Sequence, residues 1–160
     1  MLARPGGRLF AAVGCAKCHV PALAGRHGEV PLYSDLLLHD MGQALDDKIV
    51  QGEANGADWR TTPLVGLGLR QHYLHDGRAT TLRDAVLAHG GEADLVRDRY
   101  FELAPQEQET VIRFLNELHE GTPATRYSRQ HPSGSGYCPA DGGIFFVDHR
   151  EFPRLQVLTQ

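Results

Sequence analysis

Cys15-Ala16-Lys17-Cys18-His19 is the stretch on which the reading of this chain turns. Two thiols stand three residues apart, and an imidazole follows the second. With only 3 Cys and 9 His in 160 residues, chance would produce this pattern about 0.003 times in such a chain. Upstream, a helix is expected from near Pro5, a residue suited to a first helical position. Leu9, Phe10 and Val13 give it a short apolar stripe, and Gly14 ends it. Downstream, Pro21, Gly25, Gly28 and Pro31 mark an irregular loop.

Cys-x-x-Cys-His is the attachment signal of c-type haem. The thiols add across two vinyl groups, and the adjacent imidazole reaches the iron. One turn of chain has to bring both sulfurs to the porphyrin edge and the ring nitrogen beneath the metal. The same residues have three other uses. A zinc ribbon needs a second ligand pair, and the chain has no second Cys-x-x-Cys. A thioredoxin-like redox pair needs a preceding strand and a parallel sheet, and no strand signal precedes Cys15. The run Leu9 to Cys15 faintly resembles a lipoprotein or secretory leader, but its apolar part is shorter than an ordinary leader core. Covalent haem, one per chain, is therefore the expected cofactor.

The composition bounds the rest. At 160 residues, 41% hydrophobic and 22% charged, the chain suits one packed domain and not a disordered one. No apolar run approaches the ~18 residues of a membrane helix. A net charge of −4 and a pI of about 6.1 favour neither nucleic acid nor an anionic membrane. Three cysteines are too few for a disulfide scaffold. Fourteen of the 16 basic residues are Arg. Arg suits planar carboxylates such as haem propionates, although a GC-rich genome has the same effect.

A second helix is expected over Thr81–His89, where Thr81 and Asp84 resemble a capping box. Leu82, Ala85, Val86 and His89 share one of its faces, and Gly90-Gly91 stops it. Another helix is expected over about 92 to 102, and a strong one from Pro105 to about His119, with Val111, Phe114, Leu115 and Leu118 as its stripe. Ala104 is a poor N-cap for it. Tyr33 to Gly42 is either a brief helix or a buried extended stretch, and 46 to 62 reads as polar loop. No convincing strand or repeat is present. From about Ala124 the character changes. Residues 125–160 read as a loosely ordered extension, with one apolar patch at Ile144–Val147 and a Cys138 without metal-ligand neighbours.

Haem iron takes His19 as its fifth ligand. For the sixth position Met41 and His89 are the candidates. His89 is expected to point inward with its apolar face. A His so placed is more often a satisfied core residue, but a flat cofactor also needs its far side covered. Met41 sits in an Asp-Met-Gly context that plain packing would also explain.

Several segments together resemble one family. They are Gly7-Arg8-Leu9-Phe10 through Pro21, Tyr33 to Gly42, Trp59-Arg60-Thr61-Thr62-Pro63-Leu64, Gly66-Leu67-Gly68-Leu69, Tyr73-Leu74-His75-Asp76-Gly77-Arg78-Ala79-Thr80-Thr81-Leu82, and His89-Gly90-Gly91-Glu92-Ala93. In this order they resemble the bacterial di-haem oxidoreductases, also described as thiol oxidoreductases, relatives of the di-haem cytochrome c peroxidases. The resemblance covers about residues 6 to 120 and implies a C-terminal haem domain. It implies a distal ligand after the His-Asp-Gly segment, at the end of the next helix. The matching position is His89, where the family carries Met or Tyr, so His19/His89 is expected over His19/Met41. A second imidazole should lower the potential relative to Met. Arg60 is expected to pair with a haem propionate. His75 matches the His-Asp-Gly segment and is expected beside the haem or at a domain interface. His39 and Asp40 are expected to be structural. The chain departs from the family by lacking the additional N-terminal haem region, and by Thr62 and Val65 where Pro and Trp are expected.

The fold expected is mainly α: a cytochrome c-like helical domain over 1–124, with long loops around one covalent haem. Leu9 and Phe10 should pack on Phe114 and Leu118, and the haem-free chain should be poorly ordered. The function expected is electron transfer, with a redox partner protein or a second haem domain as partner and no assigned catalytic residue. Peroxidase or thiol oxidoreductase activity at this haem, or a non-functional fragment of a longer enzyme, are the alternatives. Haem c implies a periplasmic location. With no secretory leader legible, the chain is expected to be a piece of a longer protein or to have a misplaced start.

Overall fold

Pro5 occupies the first turn of α1 (Pro5–Val13), where its missing N–H costs nothing. Gly14 ends the helix in the left-handed region, at φ 110°, and its N–H bonds back to the last turn. In this computed structural model, residue 2 and residues 4–118 are described. The 125–160 extension, with Cys138 and the Ile144–Val147 patch, lies outside the described residues.

Three further helices follow: α2 (Leu82–Leu87), α3 (Asp94–Glu102) and α4 (Pro105–Asn116). Thr81 caps α2, its hydroxyl accepting from the Asp84 N–H at 3.0 Å and donating to the Asp84 carboxylate at 2.6 Å. Half of the expected capping box is therefore present: the Thr81 hydroxyl caps the helix, while the Asp84 carboxylate accepts from that hydroxyl in place of the Thr81 N–H. The helix is shorter than expected, and His89 lies just past its end. At α4 the side chain of Ala104 has nothing to accept with. Instead Glu107 reaches back and accepts from the Ala104 N–H at 3.0 Å. Buried Gln108 closes the preceding helix, donating to the carbonyls of Phe101 and Leu103.

α1 crosses α4 at close range. A Cβ on Gly6 would run into the Thr110 carbonyl and the Phe114 side chain. Phe10 packs on Phe114 with ring centres 5.5 Å apart, the contact expected from sequence. Leu118 is fully buried in the same core, and Leu9 packs against its edge. Tyr33, Leu64, Leu67, Leu82, Tyr100, Val111 and Leu115 complete the cluster. Each large apolar side chain buried here contributes roughly 1.5–3 kcal/mol.

The expectation of no strands is corrected. β1 (Leu23–Gly25) and β2 (Gly28–Val30) form one antiparallel pair, and β3 (Leu38–Asp40) and β4 (Asp58–Arg60) another. Each strand has three residues, too few for alternation to show in sequence. In the second pair His39 stands opposite Trp59 and Leu38 opposite Arg60. Tyr33–Gly42 is thus not helical: Leu38–Asp40 is strand, and Tyr33 and Leu36 are left-handed; the expected loop 46–62 includes β4. Among the described residues the architecture is four helices with two small antiparallel sheets, a mixed arrangement that does not clearly show the mainly α cytochrome fold expected. None of the described helices is long and apolar enough to cross a membrane.

Candidate functional site

The turn after α1 runs Cys15–Lys17 as a short 3₁₀ segment and delivers Cys15, Cys18 and His19 to one side of the core. Neither cysteine is in a disulfide. Burial pushes the Cys15 thiol up to about 12. Burial, then the charges of Asp35 and Glu92, raise Cys18. A redox-active pair needs the opposite, a stabilised thiolate. With a helix before it in place of a strand, the motif does not fit a thioredoxin-like site.

His19 is anchored through its Nδ1, which donates to the Tyr33 carbonyl at 3.0 Å. Tyr33 holds that carbonyl in place with a left-handed backbone, φ 53°, a conformation that costs a non-glycine residue roughly 1–2 kcal/mol. The next residue secures the turn. Ser34 is fully buried, donating to the Thr61 carbonyl at 2.7 Å and accepting from the Leu36 N–H at 2.9 Å.

His89 is anchored in the same way. Its Nδ1 donates to the Ala85 carbonyl at 2.7 Å, and its own carbonyl accepts from Arg97 at 2.9 Å. The rings of His19 and His89 lie close, 6.5 Å between centres and tilted by 50° to each other. With Nδ1 protonated in both, each Nε2 keeps its lone pair, the tautomer a metal requires. Burial lowers both imidazoles, His19 to about 4, so both are neutral near pH 7. Two imidazoles sharing one metal ion through facing nitrogens, at about 2.0–2.1 Å each, stand roughly 6 Å apart between ring centres. The donor set and its spacing fit an iron between the two rings.

Met41 runs beside the same loop. Its carbonyl lies where a Cβ on Gly90 would come within 2.8 Å, and Gly91 (φ 56°) meets Asp40 and Gly42 as closely. Gly90 and Gly91 are therefore needed for this close approach, beyond stopping a helix.

Arg60 and His75 are both exposed. Arg60 ends β4 and makes no hydrogen bond or ion pair among the described residues. His75 stacks face to face on Trp59, 3.7 Å between centres, and Trp59 Nε1 donates to the Leu45 carbonyl. No ring contact or hydrogen bond joins either residue to His19 or His89.

Sequence reasoning treated His39 as structural and missed what it joins. Its Nε2 faces Asp35 at 3.0 Å and its Nδ1 faces Glu92 at 2.9 Å. The hydrogen bond to Glu92 is the chief cause of its raised pKa. Cys18 Sγ lies 4.0 Å from the same Nδ1. Cys18, Asp35 and His39 come close enough to suggest a cation site. The imidazole, however, turns one nitrogen to Asp35 and the other to Glu92, so the donors do not converge on one point. Glu92 is 53 residues from His39, and no local spacing announces the pair.

Comparison with known proteins matches this arrangement to a family. A family model described as "Di-haem oxidoreductase, putative peroxidase" matches residues 2–118. Cytochrome c551 peroxidase of Pseudomonas aeruginosa is 27% identical over 128 residues, covering 78% of this chain and 36% of that protein. Transaldolase of Xanthomonas oryzae pv. oryzae is 32% identical over 89 residues, 51% of this chain and 25% of that protein. The chain thus spans between a quarter and about a third of the length of these curated relatives. No solved structure matches. With its match running from before α1 to the end of the core, the chain belongs to the di-haem oxidoreductase family.

Proposed function

We propose that residues 1–124 form a c-type haem electron-transfer domain of a di-haem oxidoreductase. The observation that carries this reading is the close pair His19 and His89, each fixed through Nδ1, with Nε2 unengaged among the described residues. Cys15 and Cys18 would hold the haem through thioether links, and His19 and His89 would bind its iron. Bound haem supplies a one-electron iron couple. The polypeptide does the rest. The Tyr33 and Ala85 carbonyls orient the imidazoles, and the α1–α4 core holds the motif turn. Arg60, whose exposed side chain has no ion-pair partner among the described residues, is assigned to a propionate. His75, stacked on Trp59, is assigned to the cofactor's edge. The site works in the periplasm, because haem c is attached outside the cytoplasm. Its partner is a redox protein or a second haem domain. Two ring ligands leave no open position, which favours electron transfer over peroxide chemistry at this haem.

The test is export with a haem-maturation system, followed by acid–acetone extraction and visible and spin-resonance spectra. The expected result is pigment that resists extraction and a six-coordinate low-spin signal. His89→Ala should become high-spin and bind cyanide, while Met41→Ala should not change. A colourless product, or extractable pigment, overturns the reading. A low-spin His89→Ala assigns the sixth position to Met41. A high-spin wild type that shifts with peroxide makes this haem the peroxidase site.

A further inference from the structure

His39 belongs neither to the motif nor to the axial pair, yet it is among the most constrained polar side chains near them. Its side chain is only 17% exposed, and both ring nitrogens face carboxylates. An imidazole that bonds two carboxylates donates at both nitrogens, so it stands as an imidazolium between two negative groups.

The two carboxylates belong to opposite sides of the site. Asp35 belongs to the His19 side. Its N–H donates to the Cys18 carbonyl at 2.9 Å, and it follows Tyr33, whose carbonyl holds His19, by two residues. Glu92 belongs to the other side, three residues after His89. Its second oxygen accepts from the Asp40 N–H at 3.2 Å. Gly90 and Gly91 lie flush against Met41 and Asp40, where no Cβ fits. A continuous path therefore runs from the Cys18 carbonyl through Asp35, His39 and Glu92 to the loop behind His89.

We infer that His39 is a positioning residue that sets the separation of the His19 and His89 imidazoles by tying the motif side to the His89 loop. The inference rests on the proposed role of those two imidazoles as axial ligands. The division of labour is physical. The Ala85 carbonyl and Arg97 orient the His89 ring from its own side, but neither reaches the motif. The His39 link does reach it. Without the imidazolium, Asp35 and Glu92 face each other as like charges and drive the two sides apart.

The test uses the exported, haem-loaded chain and reads cyanide binding to the ferric form, spin-resonance g-values and melting temperature. His39→Leu should bind cyanide on the order of tenfold faster than wild type, with shifted g-values. Glu92→Gln, a milder change at a half-exposed carboxylate, should do the same to a smaller degree if His39→Leu fails to fold. Adding Asp35→Asn and Glu92→Gln to His39→Leu should recover part of the slow binding, because the repulsion is gone. A merely structural role would lower the melting temperature and leave cyanide binding and g-values alone, and that result overturns the inference. So does wild-type cyanide binding in both His39→Leu and Glu92→Gln, with the axial assignment intact. A wild type that shows no two-imidazole low-spin signal overturns the functional reading, and this inference with it.

Discussion

Where α1 crosses α4, Phe10 meets Phe114 over a glycine contact, and nearly every neighbour is apolar. Where His19 lies close to His89, the holding groups are the carbonyls of Tyr33 and Ala85, Arg97, and the Asp35–His39–Glu92 link. The first region is stabilised by area removed from water, which is non-directional and tolerant. The second is stabilised by directed polar bonds around two imidazole rings. On the proposed reading, this half takes more of its order from bound haem than the crossing does. Truncating one side chain at the crossing tests the division most strongly. Phe114→Ala should cost about 3–5 kcal/mol by thermal or urea unfolding, while low-spin spectra below the transition stay those of wild type. A spectrum that changes at once would show that the two regions are not separable.

The two regions also differ in how far sequence exposed them. Pro5, the Phe10 stripe and Gly14 announced α1, and Thr81 with Asp84 announced the start of α2, because caps and stripes act within a few residues. The α4 stripe announced its partner for the same reason. In the site half, sequence singled out only the Cys15–His19 motif and, by helical face and family resemblance, His89. Its other parts are contacts between distant residues. β3 pairs with β4 across 22 residues (Leu38 to Arg60), and Glu92 reaches His39 across 53. Tyr33 adopts a left-handed backbone that its residue type does not favour. No periodicity reports such features, since each is imposed by tertiary packing on a chain that has no local preference for it.

Acid should separate the regions next. Burial lowers His19 to about 4 in the folded chain, against 6.5 for an unburied imidazole. Below pH 6.5 the unfolded chain takes up a proton that the folded chain refuses, so stability falls as pH drops through this window and levels off near pH 4. His19 alone accounts for about 3 kcal/mol. His89, lowered in the same direction by burial, adds to it. The α1–α4 crossing carries no such group. In haem-free protein, amide exchange near His19, Tyr33 and His89 should therefore quicken between pH 6.5 and 4, with Phe10 and Phe114 still protected. Uniform loss of protection would contradict the division.

The smallest effect is expected where the regions meet, at Tyr100 on α3. Its ring is 1% exposed in the apolar core, packed edge-on to Phe101. Its hydroxyl is the one buried side-chain polar atom without a hydrogen-bond partner among the described residues, and Cys15 of the motif turn packs against the same core. An unpartnered buried hydroxyl costs about 1–3 kcal/mol, so the polypeptide alone gains nothing by keeping it. Tyr100→Phe should then leave the haem-free protein unchanged or raise its stability by up to about 1 kcal/mol in urea unfolding. The haem-loaded protein sharpens the point. If the occupant of the site supplies the missing acceptor, the same substitution destabilises the loaded form, and the sign of the effect reverses between the two. Equal stabilisation of both forms would place Tyr100 wholly on the apolar side of the boundary, and destabilisation of the haem-free form would mean that the chain itself partners the hydroxyl.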